Sequence, residues 1–366
     1  LVVTSTNDDK LARAASIYTV EHAREMGVEL HYVNTKKSAD PVKELRDITG
    51  GKGYNDVICF APASNIIEIG DQILGFDGCL NIFAGPADSQ LKAEINMNEL
   101  FSVKDQVVVI TGGTGVLGRC IAKYLAKEGA KVVIMGRKAE VGDKIVADIK
   151  AEGGEAMFLV TDVMNVQKVE ENLQDILKAY GRVDALLNAA GGNMPGATIA
   201  PTGNFFDLDP EQFKRVLELN LTGTVIPTQI FLKPMVEQGK GSIINFSSMA
   251  AFRPMTRVCG YAAAKAGISN FTAFMANEVA TKFTEKIRVN AIAPGFFLTE
   301  QNLLLLTDGK GNLTERGQDV IRQTPFKRFG EPEELCGTVQ YLLSEASKFV
   351  TGTVAVVDGG FNTFAM

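Results

Sequence analysis

The sequence predicts an α/β protein: a doubly wound parallel sheet of seven strands over residues 97–366, preceded over residues 1–96 by a partial segment of the same kind. Three observations predict it. Short apolar runs alternate with amphipathic stretches along all 366 residues. Seven such runs in the larger part are separated by helical patterns, the arrangement that crossovers between parallel strands require. A glycine-rich turn joins the first of these runs to the helical pattern after it.

In sequence order, the smaller part shows strand-like runs at 1–4, 30–33, 57–60 and 80–83, with Gly50-Gly51-Lys52-Gly53 marking a loop before the third. Met97 precedes a lead-in, residues 98–106, that suits the start of an independent unit, which places the boundary at 96/97. No repeat aligns the two parts. The larger part has its runs at 107–111, 131–135, 156–160, 185–188, 242–246, 288–293 and 354–357. Leu117, Ile121 and Leu125 recur every fourth residue, with Lys123, Lys127 and Glu128 elsewhere on the turn, so a helix with one buried stripe follows the first strand.

Composition excludes several function classes. A hydrophobic share of 46% and a charged share of 22% suit folded cores and argue against long disorder. The net charge is −6, and residues 1–96, with 9 Lys+Arg and 14 Asp+Glu, carry −5 of it. Neither part has the basic excess of a nucleic-acid binder. Five scattered cysteines without a Cys-x-x-Cys pair argue against structural zinc and for a reducing compartment. No apolar run approaches the ~18 residues that span a bilayer and no signal peptide shows, so the expected location is the cytoplasm, although the sequence begins at Leu1 rather than Met. His22 and His31 are the only histidines, and both precede residue 97. They read as ordinary helix and strand residues rather than ligands. The larger part therefore has no Ser-His-Asp triad and no His-ligated metal, and no metal site is expected. Its proton chemistry falls to Tyr, Lys, Asp, Glu or Cys.

The turn reads Thr111-Gly112-Gly113-Thr114-Gly115-Val116-Leu117-Gly118. Gly113, Gly115 and Gly118 satisfy G-x-G-x-x-G between strand and helix, where missing Cβ atoms admit a pyrophosphate to the backbone and the helix N-terminus offers it free N–H groups. Such folds place an acid about 20 residues on for a ribose 2′-hydroxyl. Here Gly136 stands in that place and Arg137 and Lys138 follow, so the residues lean to NADP over NAD, with Arg137 for the 2′-phosphate. A solvated turn is the alternative for Arg137.

Tyr261 and Lys265 share one face if helical. Tyr32 and Lys36 have the same spacing without a glycine loop upstream, so context decides. Ser248 lies just past the strand at 242–246, at the edge where such sheets bind ligands. An ammonium about 4 Å from the phenol is expected to draw its pKa down by roughly three units, before desolvation pushes it partly back.

Together these residues resemble the short-chain dehydrogenase/reductase family over about residues 100–366. Asn188-Ala189-Ala190-Gly191, Asn220, Pro294-Gly295 and Val357-Asp358-Gly359-Gly360 complete the ordered motifs. The resemblance implies a Rossmann-like fold with a nicotinamide cofactor. It implies that Ser248 binds the substrate carbonyl, Tyr261 exchanges its proton, Lys265 lowers the tyrosine pKa and holds the ribose, and Asn220 anchors a water in the relay. Asp162, with Val163, would contact adenine, Asn188 would steady the sheet, and Pro294, Gly295, Phe297 and Thr299 would hold the carboxamide. Two residues depart from the family pattern: Val116 where the short glycine motif has its middle glycine, and Ala189 in place of a second Asn.

Within the family, residues 191–198, 253–257 and 296–302 resemble the D-mannonate oxidoreductases (fructuronate reductases) of the short type. That likeness implies a sugar-acid substrate, with Arg253 or Arg257 for its carboxylate and Asn193 for its hydroxyls. For each arginine a surface or subunit contact is the alternative. A gluconate 5-dehydrogenase or 3-oxoacyl reductase would show almost the same motifs. A dinucleotide sensor without turnover is the other class, and it has no need of Ser248, Tyr261, Lys265 and Asn220 together. Such relatives imply a homotetramer or dimer, for which the apolar end from Phe361 to Met366 is the expected contact. Residues 1–96 resemble the latter part of a cofactor domain of the medium-chain, zinc-type alcohol dehydrogenases, through residues 8–13, 40–45 and 51–57. The first strand and glycine loop of such a domain would precede Leu1, and its zinc-bearing domain is not seen. The segment is expected to be an inactive remnant, fusion end or assembly join.

Overall fold

The computed structural model describes residues 1–60, 63–82, 100–299 and 302–364. Two compact units make up the protein, Leu1–Glu99 and Leu100–Met366. The boundary expected at 96/97 lies outside the described residues.

The smaller unit contains β1 (Val2–Ser5), α1 (Asp8–Ile17), α2 (Val20–Glu25), β2 (His31–Asn34), α3 (Pro41–Ile48), β3 (Tyr54–Cys59), α4 (Ser64–Gln72) and β4 (Leu74–Ile82). Asn7, Thr19 and Asp40 cap α1, α2 and α3 by accepting a first-turn N–H, which accounts for where these short helices start. β1 pairs with β2 and β3 with β4, both in parallel, so the strands form two separate ribbons rather than one sheet among the described residues. Val33, Leu45 and Ile73 are the buried centre of one small core.

The larger unit contains β5 (Val107–Thr111), α5 (Val116–Lys127), β6 (Lys131–Gly136), α6 (Ala139–Ala151), β7 (Glu155–Val160), α7 (Val166–Tyr180) and β8 (Ala185–Asn188). It continues with α8 (Pro210–Leu217), a π-helical turn (Glu218–Thr222), α9 (Gly223–Gln238), β9 (Gly241–Phe246), α10 (Cys259–Lys282) and β10 (Ile287–Pro294). The last elements are α11 (Leu303–Leu306), α12 (Glu315–Gln323), α13 (Cys336–Leu343) and β11 (Val354–Val357). All seven strands expected from the sequence form. They make one parallel sheet in the order β11-β10-β9-β8-β5-β6-β7.

Both faces of this sheet are covered. Ile121, Leu125 and Val339 pack against one face and Val169, Ile230 and Val279 against the other. The strands are accordingly continuous apolar runs, and all five residues of β5 are buried. The backbone winds outward from β5 through β6 to β7, then returns to β8 on the other side of β5. Strand order thus reverses between β5 and β8, and a crevice opens at their carboxyl ends.

Of the apolar C-terminal end expected at a subunit contact, Phe361 packs inside the unit. Phe361 is buried, packs edge-on to Phe296 at 5.2 Å between ring centres and lies under the Arg253 guanidinium at 5.3 Å. Its surface is spent within the unit. Residues 365 and 366 lie outside the described residues.

Candidate active site

The crevice is a cavity of about 520 Å³, lined from one end by the glycine turn and from the other by Ser248, Tyr261 and Lys265. The turn is shaped by close approach. Gly112 has φ +66°, and a Cβ there would stand 2.7 Å from the Ala189 carbonyl oxygen, so the β5 and β8 loops can meet only at a glycine. Gly115 caps α5 with no side-chain hydrogen bond, which leaves first-turn N–H groups facing the cavity edge. A pyrophosphate fits that cradle.

Thr114, Gly115, Val116, Leu117 and Gly118 line this end, with Ala189, Ala190 and Gly191 opposite. Thr111 and Asn188 stand behind the wall. The Thr111 hydroxyl oxygen accepts from the Ala190 N–H at 3.3 Å. Asn188 Nδ2 donates to Thr228 Oγ1 and Asn245 Oδ1, both at 2.9 Å, tying β8 to α9 and β9. Gly113 also lies behind, with its N–H on the Met135 carbonyl.

Farther along, Arg137, Lys138, Asp162 and Val163 line the cavity. Arg137 and Asp162 are exposed, and Asp162 Oδ1 accepts from the Met164 N–H at 3.0 Å. A Cβ on Gly136 would stand 2.6 Å from Thr114 Oγ1. The turn's own threonine therefore occupies the place where an acid would project, and the wall there carries cations instead. Pro294, Gly295, Phe297 and Thr299 line the far side. Asn302 binds this loop to itself, donating to the Phe297 carbonyl and accepting from the Thr299 N–H, both at 2.8 Å.

At the reacting end, α10 sets Tyr261 and Lys265 one turn apart, and β9 delivers Ser248 from its carboxyl edge. Lys265 is buried. Its Nζ donates to the Phe246 carbonyl at 2.7 Å and lies 5.5 Å from the centre of the Tyr261 ring. Burial lowers the lysine pKa to about 8. Burial pushes the Tyr261 phenol above its ordinary value, and the Ser248 hydroxyl, bonded to it, pulls the other way. The expected depression of the tyrosine pKa is not met. The ammonium is turned toward a backbone carbonyl and is itself half discharged near pH 8. At neutral pH the phenol is a loaded proton donor.

Asn220 sits in the π-helical turn and is buried. Such turns widen a helix by one residue and re-aim side chains. Its Nδ2 donates to the carbonyls of Gly192 at 2.7 Å and Val216 at 2.8 Å, and its Oδ1 accepts from the Gly192 N–H at 3.1 Å. Asn220 is fully buried and stands behind the cavity wall rather than lining it, with the Gly192 N–H as the donor to its Oδ1. Gly191 is the meeting point, since a Cβ on it would lie 2.6 Å from Asn220 Oδ1 and 3.4 Å from Lys265 Nζ.

Three residues expected to touch substrate do not line the cavity. Arg253 donates to the Phe361 carbonyl at 2.7 Å. Arg257 Nε donates to the Ile199 carbonyl at 2.6 Å. Asn193 Nδ2 donates to Thr198 Oγ1 at 2.7 Å. The fold uses each of these bonds to fasten a loop. Conversely, Ser247 and Leu219 line the cavity without having been marked by any sequence motif, and Phe296, part of the 296–302 stretch, lines it without having been given a role. Ser247 carried a signal, being next to Ser248; its hydroxyl lies 2.7 Å from Ser269 Oγ. No group of His, Cys, Asp and Glu suited to a metal occurs among the described residues, and no helix among them is long and apolar enough to cross a membrane.

Comparison with known proteins places the match in the larger unit. The short chain dehydrogenase family model matches residues 106–306. An uncharacterized oxidoreductase, UxuB, of Bacillus subtilis is 46% identical over 270 residues, which are 71% of this chain and 96% of that protein. A solved structure from Haemophilus influenza, described as a candidate D-mannonate oxidoreductase with bound NAD, superposes with a TM-score of 0.68 at 40% identity, covering 72% of this chain and 97% of that one. A gluconate 5-dehydrogenase from Burkholderia cenocepacia, in complex with NADP and tartrate, does so at 0.66 and 29% identity, covering 73% and 99%. The likeness of residues 1–96 to a zinc-type alcohol dehydrogenase finds no support in these comparisons.

Proposed function

The chain belongs to the short-chain dehydrogenase family, it is an NAD(P)-dependent oxidoreductase acting on CH–OH groups, and from that premise we propose that it interconverts the carbonyl and alcohol of a sugar acid, D-fructuronate and D-mannonate. The observation that carries the reading is one continuous cavity with a pyrophosphate cradle at one end and Ser248, Tyr261 and Lys265 at the other.

When bound, the nicotinamide cofactor supplies the hydride. The glycine turn and the α5 N-terminus would hold its pyrophosphate, Asp162 and Val163 its adenine end, and Pro294, Gly295, Phe297 and Thr299 the far end. Ser248 would receive the substrate carbonyl oxygen, fixing it beside the phenol. Tyr261 would pass its proton to that oxygen in reduction and take it back in oxidation. At neutral pH the phenol holds its proton, the form that reduction consumes. Lys265 would hold ribose hydroxyls, and Asn220 a relay water. Positioning and one proton are the protein's whole contribution.

For the cofactor we propose NADP over NAD. Arg137 and Lys138 with no carboxylate between them suit a 2′-phosphate, while the Haemophilus relative holds NAD. The gluconate 5-dehydrogenase neighbour favours gluconate as a second substrate reading. A homotetramer or dimer and a cytoplasmic location complete the proposal.

Paired assays test it: D-fructuronate, 5-ketogluconate and neutral ketoses, each with NADH and with NADPH. The expected result is fastest turnover with fructuronate and NADPH. Equal rates with neutral ketoses would overturn the sugar-acid reading, and a preference for NADH the cofactor reading.

A further inference from the structure

The end of β9 is fastened to α10 residue by residue. Asn245, Phe246 and Ser247 lead in sequence to Ser248, and each is bonded to that helix. Asn245 Nδ2 donates to Thr272 Oγ1 at 2.9 Å. The Phe246 carbonyl accepts from Lys265 Nζ at 2.7 Å. Ser247 Oγ lies 2.7 Å from Ser269 Oγ. Asn245, Ser247, Lys265 and Thr272 are buried, and Ser269 is half-buried. Tyr261, Lys265 and Ser269 recur every fourth residue and so share one face of α10. Ser247 and Ser248 both line the cavity, with Tyr261 and Lys265 across from them on the helix.

The first two bonds answer other needs. Asn245 also accepts from Asn188, which ties β9 to β8, and the buried ammonium of Lys265 requires a partner. The serine pair has no such duty. Both hydroxyl oxygens lie 3.3 Å from the Lys265 carbonyl oxygen, so two protons serve three contacts, one between the hydroxyls and one to the carbonyl. Without the Ser269 hydroxyl, Ser247 can still donate to that carbonyl, and no buried group is orphaned. The Ser247 N–H is held by the Ile292 carbonyl at 2.8 Å, so its backbone follows β10. Its side chain alone refers it to α10. The Ser247–Ser269 bond is therefore the last link between strand and helix before Ser248, and what it adds is register rather than burial.

We propose that Ser269, acting through Ser247, is a positioning residue that holds Ser248 where it and Tyr261 can meet the same substrate oxygen. The inference rests on the roles given above to Ser248 and Tyr261. A misplacement of a fraction of an ångström between them would slow the proton step while leaving the distant cofactor cradle untouched.

The test uses the 366-residue chain with Ser269→Ala, Ser269→Thr, Ser247→Ala and the double alanine variant. With D-fructuronate, Ser269→Ala should lower kcat about 10-fold and change KM by less than about twofold. Ser269→Thr keeps the hydroxyl and should recover most of the loss. The double variant should be no slower than the slower single one, because both changes remove one bond. An unchanged kcat, a loss carried by KM, a failure of threonine to rescue, or losses that multiply would each overturn the latch. Crystal structures of the wild type and Ser269→Ala separate this inference from the proposed reaction. The Ser248 Oγ to Tyr261 Oη separation should widen by at least about 0.5 Å in the variant. Widening in a protein that reduces no sugar acid upholds the latch and defeats only the reaction. An unchanged separation defeats the latch whatever the substrate.

Discussion

In the larger unit β5 lies between β6 and β8 and every one of its residues is buried; in the smaller unit β1 has β2 as its only partner among the described residues and none of its four residues is fully buried. Both units are built from parallel strands and capped helices. They differ in how many neighbours a strand has. A strand flanked on both sides can have the backbone leave to the left and return on the right, and that reversal opens a crevice at its carboxyl end. A two-stranded ribbon has no reversal and no crevice. Helices α1 and α2 bury no residue at all. The relatives teach the same lesson, since a protein matching 71% of this chain is itself 96% covered.

The contrast can be broken or sharpened by substitution. The largest effect is expected from Gly112→Val. The side chain would meet the Ala189 carbonyl and force a β-branched residue to a positive φ. Cofactor affinity, measured by fluorescence titration, should fall by at least about 100-fold. Unchanged affinity would remove the cradle from the account.

Leu45→Ala is the matching change in the smaller unit, where Leu45 is 1% exposed. It should destabilise that unit by about 2–5 kcal/mol in denaturant unfolding while turnover stays within about twofold. A large loss of turnover would mean that the two units are energetically one.

Lys265 supplies a pH signature. Its folded pKa is about 8 against an ordinary 10.5. Below pH 8 both the folded and the unfolded protein hold the proton, and above 10.5 neither does. Between the two the unfolded state binds more protons, so stability rises with pH, by on the order of 3 kcal/mol across the window. The difference between the wild type and Lys265→Met, without added cofactor, should show that rise. A flat difference would mean the buried ammonium is compensated.

The smallest effect is expected from removing the smaller unit. Residues 100–366 have their own core, so their turnover should match that of the 366-residue chain within about twofold. A larger change would assign the smaller unit a role in the reaction.

Much of the larger unit was legible in the sequence. Val107 to Ile110 is an unbroken apolar run, and a strand buried on both faces must look like that. The glycine turn was legible because backbone approach leaves a composition mark. The apolar pattern starts β4 at residue 80 instead of Leu74, because Gly75 and Gly78 interrupt it. The two-ribbon pairing of the smaller unit depends on partners far apart in sequence and left no local trace.

Within the site, spacing and context point to Ser248, Tyr261 and Lys265. They do not reveal the electrostatics. Spacing puts an ammonium near a phenol, but only the folded geometry shows Lys265 turned to the Phe246 carbonyl. Arg253 and Arg257 were legible as cations in a loop near the serine, whereas their bonds to Phe361 and Ile199 span 108 and 58 residues.

The most direct test of the central claim is Tyr261→Phe in the 366-residue chain, with turnover of D-fructuronate and cofactor affinity measured on the same sample. The account predicts cofactor affinity within about threefold of wild type and kcat lower by about 10²- to 10⁴-fold. Full turnover in a variant that lacks only the phenolic hydroxyl would contradict it.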